Sequence, residues 1–200
     1  MEKEQVLANL EKKGYCAKWF ESGAEAVSYL CGELRNTSIG FGGSVTAQSL
    51  GLYEKLGEQN EVYWHWKSES RAEAQRQAAG AEVYILSANA LSETGEIVNI
   101  DGNGNRLAAQ FYGHARVIFV VGVNKLTPDL ASAIDRARNI AAPLNARRLN
   151  RSTPCALSEP MRCHDCSSPE RICSGLSILF EKMGGIPRMD VLLVNEDLGF

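Results

Sequence analysis

An unbroken apolar run, Arg116-Val-Ile-Phe-Val-Val-Gly122, constrains the fold more than any other stretch of the chain. Val117 to Val121 contains no polar position, which is typical of a strand buried on both faces of a sheet. A second apolar segment, Ile97 to Ile100, leads into Asp101-Gly-Asn-Gly-Asn105, whose glycines and asparagines accept the positive φ of a sharp turn. We therefore expect both segments to lie in one central sheet, with the other elements layered around it.

Helical and strand patterns alternate along the rest of the chain. Residues 2–13 have helical spacing of apolar side chains, Ser22-Gly-Ala-Glu25 is a capping box, and Glu61 to Trp66 has strand composition. This alternation predicts an α/β fold, a layered sandwich with a mostly parallel central sheet. We expect one domain over residues 1–200.

The segment Thr127-Pro128-Asp129 predicts the start of another helix. It combines a capping hydroxyl with a proline in the first turn and an early acidic residue. The pattern that follows predicts that Asp135, Arg136 and Arg138 form the solvated face. Pro143 is expected to interrupt the helix.

Composition narrows the class of protein. The chain has 200 residues, 44% of them hydrophobic, and a net charge of −3 without a basic face, so nucleic acid is not an expected partner. The charged start, Met-Glu-Lys-Glu-Gln, does not resemble a secretory signal, and no apolar run approaches the roughly 20 residues that span a membrane. We expect a cytoplasmic protein without membrane contact. The sequence leaves open whether it is a homo-oligomer.

A glycine-rich loop follows the strand predicted at Thr37 to Phe41. Gly42 and Gly43 leave room for a ligand against backbone amides, and Ser44 or Thr46 could cap the next helix, whose N-terminus would favour an anion. The alternative is a tight strand-to-helix turn with a serine cap. The local pattern favours that turn, because the loop is neither a Walker loop nor a full dinucleotide fingerprint.

Three other positions are candidates for a site. Asn124 and Lys125 follow the apolar strand at its carboxyl end, where open α/β sheets usually bind ligands. Glu93 lies in a predicted loop. It could face a cleft as a nucleophile or general base, or it could be a solvated residue of a turn. His65, between two tryptophans, is interpreted as a packed histidine rather than a ligand or base.

Four of the six cysteines fall within residues 153–174, a segment of Cys, Pro, Ser and charged residues with little apolar content. We interpret it as an excursion from the domain. Its spacing, a Cys-x2-Cys pair with two irregular partners, is compatible with zinc or an iron–sulfur cluster. The alternative is free thiols or a redox-labile pair. The candidate ligands are Cys155, Cys163, Cys166 and Cys173.

Several of these stretches together resemble the LUD domain family, which includes the C component of bacterial lactate-utilisation systems. The matching pieces are Gly40 to Thr46, Glu93-Thr94-Gly95 with Ile97 to Asn105, Val120 to Lys125 with Pro128-Asp129, and the cysteine segment. The resemblance implies a fold similar to the sugar-phosphate isomerase and CoA-transferase superfamily. It also implies a part in oxidation of L-lactate to pyruvate beside iron–sulfur partner proteins.

In that superfamily, ligands lie over glycine-rich loops at strand ends. The resemblance therefore makes these residues stronger candidates for binding a ligand: Gly42, Gly43, Ser44, Thr46, Glu93, Thr94, Asn124 and Lys125. Ser92-Glu93-Thr94-Gly95 is similar to the Ser-Glu-Asn-Gly run of CoA transferases, whose glutamate is the nucleophile, although Thr94 replaces the asparagine.

Three functions follow as hypotheses. The first is a component of lactate oxidation that binds a small anion. The second is an independent enzyme on an acyl-CoA or phosphorylated substrate, with Glu93 as nucleophile or base. The third is a docking module in which the cysteine segment responds to metal or redox state.

Overall fold

The chain forms ten strands and nine α-helices among residues 2–200, which the computed structural model describes. The strands are β1 (Cys16–Phe20), β2 (Ser38–Phe41), β3 (Glu61–Trp64), β4 (Val83–Leu86), β5 (Ala90–Ser92), β6 (Ile97–Asp101), β7 (Arg116–Gly122), β8 (Leu126–Thr127), β9 (Gly175–Leu179) and β10 (Arg188–Val194). The helices are α1 (Lys3–Lys12), α2 (Gly23–Glu33), α3 (Val45–Ser49), α4 (Leu52–Gly57), α5 (Arg71–Ala79), α6 (Asn105–Phe111), α7 (Leu130–Arg136), α8 (Ala142–Arg148) and α9 (Pro154–Leu157).

Six strands form a parallel central sheet in the order β1-β10-β7-β4-β2-β3. Side chains of β7 alternate between its two faces. Val117, Phe119 and Val121 join the core on one face, and Ile118 and Val120 join the core on the other. All five are at most 1% exposed, and burying each contributes about 1.5–3 kcal/mol. The predicted fold class and the double-sided burial of this strand are confirmed.

A second sheet of four strands, in the order β8-β5-β6-β9, covers one face of the first. β6 pairs antiparallel with β5 and β9, so the expectation that β6 shares a sheet with β7 is wrong. The apolar pattern of β6 fits this place, because Ile97 faces the core of the large sheet while Val98 packs with the α7 side. An apolar run indicates that a strand is buried on both faces, but it does not indicate which strands pair with it.

The helix after Pro128 differs from the sequence prediction in three ways. Asp129 caps α7 by accepting a hydrogen bond from the Ser132 amide at 2.7 Å, whereas the Thr127 hydroxyl donates to the Leu91 carbonyl. Arg136 is buried, not solvated. Pro143 does not interrupt the helix, because a π-turn at Ala137–Ala141 precedes it and α8 continues with proline in its first turn.

Among residues 2–200, no helix combines the length and apolar character that crossing a bilayer requires.

Candidate functional site

A cavity of about 650 Å³ lies at the carboxyl edge of the central sheet. Parallel strands present their carboxyl ends at one edge, so the loops that follow them meet there. The loops after β2, β3, β4, β7 and β10 each contribute lining residues, and the end of β6 contributes from the second sheet. The lining segments are 43–46, 65–66, 87–89, 100–103, 169–172 and 199–200, together with Lys125, two residues each of α5, α6 and α8, and Leu149 and Arg151 after α8.

Lys125 is the most deeply buried cation of this cavity, at 3% exposure. Its ammonium donates to the Thr46 hydroxyl at 3.0 Å and to the Ser87 hydroxyl at 2.9 Å. Both acceptors are neutral, so no carboxylate compensates the buried charge. Burial, and then the charges of Arg136 and Arg106, lower the pKa of Lys125 to about 7. Near neutral pH, the Lys125 amine is therefore divided between its charged and neutral forms.

Arg106, at the start of α6, places a second cation in the same wall. One of its terminal nitrogens donates to the side-chain oxygens of Asn99 at 2.7 Å and of Asn89 at 3.3 Å. Its Nε is buried without a hydrogen-bond partner. The nearby Asp101 carboxylate accepts from the backbone amides of Arg106 and Asn103 instead. Burial lowers the pKa of Arg106, which remains a cation because a guanidinium does not deprotonate in proteins.

The charge of the cavity lining is strongly unbalanced. Two carboxylate side chains, Asp101 and Glu170, face six cations, and no ion pair within residues 2–200 includes any of these six. Low-dielectric walls and one sign of charge attract counter-ions into a cleft. The cations are Arg71, Arg106, Lys125, Arg148, Arg151 and Arg171.

His65 and Trp66 form the wall beyond β3. His65 is 8% exposed, as the packed-histidine interpretation expects, and its Nδ1 has no hydrogen-bond partner. Burial, and then the Arg71 charge, lower its pKa. Trp66 stacks on Trp64 at a centroid distance of 5.2 Å, and the Arg148 guanidinium lies 4.9 Å from the Trp66 ring.

The glycine-rich loop and Lys125 come together in this cavity. Gly43, Ser44, Thr46 and Lys125 all line it. Ser44 caps α3 by accepting from the Ala47 amide at 3.1 Å, while Thr46 donates to the Leu198 carbonyl and holds the chain end near Lys125.

Both loop glycines are closely packed. A Cβ on Gly42 would lie 2.7 Å from Cγ of Arg106, and one on Gly43 would lie 3.1 Å from the Trp66 ring. The two glycines therefore let the cation and the aromatic wall approach the loop backbone.

Glu93, Thr94 and Asn124 lie outside the cavity lining. Glu93 and Thr94 occupy the hairpin turn between β5 and β6, where Asn9 of α1 donates to the Glu93 carbonyl at 2.8 Å. Asn124 binds the chain end, accepting from the Leu198 amide at 3.1 Å. The structure thus does not bring Glu93 together with Lys125.

Glu96 is the carboxylate that holds that hairpin in place. Burial alone would raise its pKa, but hydrogen bonds from Lys13, Ser92 and Thr94 lower it to about 2. Its ion pair with Lys13, at 2.8 Å, ties the turn to the end of α1. This arrangement stabilises the hairpin.

The cysteine segment runs from α9 to β9 and touches the cavity. Pro169 to Ile172 form part of the wall, and Arg171 donates to the carbonyls of Cys166 at 2.7 Å and Cys173 at 3.0 Å. All six cysteines are free thiols. Within residues 2–200, no three His, Cys, Asp or Glu side chains gather as a metal ion needs. Metal ligation by Cys155, Cys163, Cys166 and Cys173 stays a prediction.

Sequence reasoning missed most of the cationic wall. Arg106 directly follows the glycine–asparagine turn, and that position beside a predicted ligand edge was a usable signal. Ser87, Arg71 and Arg148 gave no such signal, because single polar residues after strands or on helices are usually solvated.

Comparisons with known proteins agree on the kind of domain. The family model described as the LUD domain matches residues 3–194. A solved structure, a DUF162 family protein from Deinococcus radiodurans, is similar with a TM-score of 0.53 and 15% identity, and the match covers 97% of this chain and 99% of that one. At this identity the likeness bears on the fold alone. A comparison with curated proteins gave no match.

Proposed function

The chain belongs to the LUD domain family, a family associated with lactate utilisation, and from that premise we propose that it is a component of L-lactate oxidation that binds a small organic anion in the carboxyl-edge cavity. One observation carries the binding proposal: six cationic side chains face two carboxylate side chains, and Lys125 is buried against neutral hydroxyls. A bound anion would supply the missing negative charge.

The proposal assigns roles to particular groups. The Lys125 ammonium and the hydroxyls of Thr46 and Ser87 would receive an acidic group of the ligand. Arg106, oriented by Asn99 and Asn89, would add a second positive charge beside it. Hydrogen bonds between charged groups and carboxylate or phosphate are about twice as strong as neutral ones.

Oxidation of L-lactate to pyruvate removes an electron pair, and we propose that iron–sulfur partner proteins accept it. The support is the family's association with lactate utilisation. Deleting the gene should abolish growth on L-lactate as the carbon source while leaving growth on pyruvate intact. Unchanged growth on L-lactate would remove this part of the proposal.

Binding is tested by isothermal titration calorimetry with L-lactate, pyruvate and inorganic phosphate. The wild-type protein should bind at least one of these anions, and Lys125→Met should lose that binding. Lys55→Met is the control, because Lys55 lies on α4 with 60% of its side chain exposed. If neither these three anions nor a larger dicarboxylate or bisphosphate binds, the cavity is not an anion site.

The geometry disfavours a CoA-transferase-like mechanism. Such a mechanism needs the Glu93 carboxylate in the ligand cavity, and Glu93 lies in the β5–β6 turn against α1. We therefore propose no covalent step at Glu93.

A further inference from the structure

The cavity extends along the sheet edge across several strands. Lys125 follows β7, whereas His65 and Arg71 follow β3, and all three line the cavity. In the strand order β7-β4-β2-β3, three strand spacings of roughly 4.8 Å place those strand ends about 14 Å apart. A three-carbon acid is only about 5 Å long. L-Lactate therefore cannot reach both ends of the cavity.

The β7 end is built for one acidic group. Lys125 and Thr46 are at most 3% exposed and Ser87 is 8% exposed, and the ammonium already contacts both hydroxyls. A carboxylate or phosphate oxygen placed there would meet a cation and two hydroxyl groups. This end alone would suffice for a simple monocarboxylate.

The β3 end carries a separate set of basic groups without a carboxylate partner. His65 is more than nine-tenths buried and its Nδ1 has no partner within residues 2–200. Arg71 begins α5 beside it, and Arg148 is held over the Trp66 ring at 4.9 Å. Neither arginine makes an ion pair within residues 2–200. A second acidic group would complete this set.

We propose that the natural ligand is an elongated organic anion with an acidic group at each end, one held at Lys125 and the other at Arg71 and Arg148, with His65 contacting the ligand near the second group. This inference rests on the proposed anion binding and narrows the ligand to a class. The acidic groups are carboxylates or phosphates. A volume of about 650 Å³ is in the range of pockets that enclose ligands much larger than lactate.

The experiment compares anions with one and two acidic ends by titration calorimetry on the full chain. L-Lactate and inorganic phosphate are the one-ended probes. Sebacate, a dicarboxylate roughly 13 Å long, is the two-ended carboxylate, and fructose 1,6-bisphosphate is the two-ended phosphate. The two-ended probe of the preferred chemistry should bind at least 30-fold more tightly than its one-ended counterpart. Arg71→Gln and Arg148→Gln should each weaken the two-ended probe about tenfold and leave the one-ended probe unchanged.

Arg76→Gln is the matched control. Arg76 lies on α5 like Arg71, but it pairs with Glu73 at the surface and does not line the cavity. It should leave all affinities unchanged, and circular dichroism of each variant confirms that it is folded.

Two negative outcomes separate this inference from the proposed function. If one-ended and two-ended anions bind equally well and Arg71→Gln changes neither, the two-ended ligand is excluded while anion binding stands. If no anion binds the wild-type protein, both proposals fail.

Discussion

The two edges of the central sheet each hold a buried charge, but they compensate it in opposite ways. At the amino edge, Arg116 makes two hydrogen bonds to Asp190, at 2.8 and 3.0 Å, and Arg188 adds two more, at 2.8 and 3.1 Å. Asp190 is fully buried, and Glu33 lies 3.4–3.5 Å from both arginines. At the carboxyl edge, Lys125 has only neutral hydroxyl partners.

This difference separates a cluster that stabilises the fold from one that costs stability. A buried charge is tolerated when an opposite charge and hydrogen bonds surround it, and it is costly otherwise. The amino-edge cluster is electrostatically complete without a ligand. Under the proposed function, the carboxyl-edge cluster is completed by a bound anion, and its cost in stability without one is a common trade-off at functional sites.

The largest expected effect is at the amino edge. Asp190→Asn should lower the free energy of unfolding by about 3–5 kcal/mol, because it removes the buried carboxylate that pairs with Arg116, whose side chain is only 12% exposed. Urea denaturation measures the change. Glu33→Gln, on the exposed side of the same cluster, should cost no more than about 1 kcal/mol. Equal effects of the two variants would contradict the account of a complete buried pair.

The opposite sign is expected at Lys125. Lys125→Met removes an uncompensated buried charge with a side chain of similar length, so the free energy of unfolding at pH 7 should rise by about 1–3 kcal/mol. Anion affinity should fall at least about 30-fold, the lower bound for losing one partner of a buried charge pair. A Met variant that is strongly destabilised, or that binds anions as before, would break the contrast between the edges.

The pH dependence of stability is a further test of the contrast between the two edges. Burial and the Arg136 and Arg106 charges lower the Lys125 pKa from 10.5 to about 7 in the folded protein. Between pH 7 and 9 the unfolded chain therefore binds more protons, so stability should rise with pH, by up to about 1.4 kcal/mol per pH unit. Urea denaturation at several pH values measures the slope.

Lys125→Met is the control for that slope, and its curve should be flatter. Tyr15 and Tyr84 do not interfere in this window, because burial raises both pKa values above the usual 10 and they act only as pH approaches that value. A wild-type curve as flat as that of the Met variant would show that the lysine keeps its ordinary pKa.

The smallest effect is expected at Glu93. Because its side chain lies outside the cavity, Glu93→Gln should leave anion affinity unchanged and alter stability by less than about 0.5 kcal/mol. Calorimetry and urea denaturation together check both values. A large loss of affinity would return Glu93 to the site and revive the nucleophile hypothesis.

The predictable part of this molecule depends on local pattern. The apolar run of β7, the glycine turn before α6 and the loop after β2 all have signatures within a few residues, and each lies where a layered α/β fold needs it. The strand ends at Gly43 and Lys125 then follow from the rule that ligands bind at the carboxyl edge.

The unpredictable part depends on distant contacts. Arg136 has the spacing of a solvated residue but is buried because the carbonyls of Asn124 and Asn89, from two separate loops, accept its hydrogen bonds. The assignment of β6 to a second sheet is similar, since its neighbour β9 follows it by more than 70 residues. The spacing of residues along the sequence does not indicate such distant partners.

Proton uptake on anion binding tests the central claim most directly. L-Lactate is fully ionised at pH 7.5 and is too short to reach His65 from the Lys125 end, so its titration in two buffers of different ionisation enthalpy reports protons exchanged at that end. Wild-type protein should take up a large fraction of one proton as the anion restores the charge of Lys125, and Lys125→Met should take up none. Binding of L-lactate without proton uptake, or with the same uptake in the Met variant, would contradict the account.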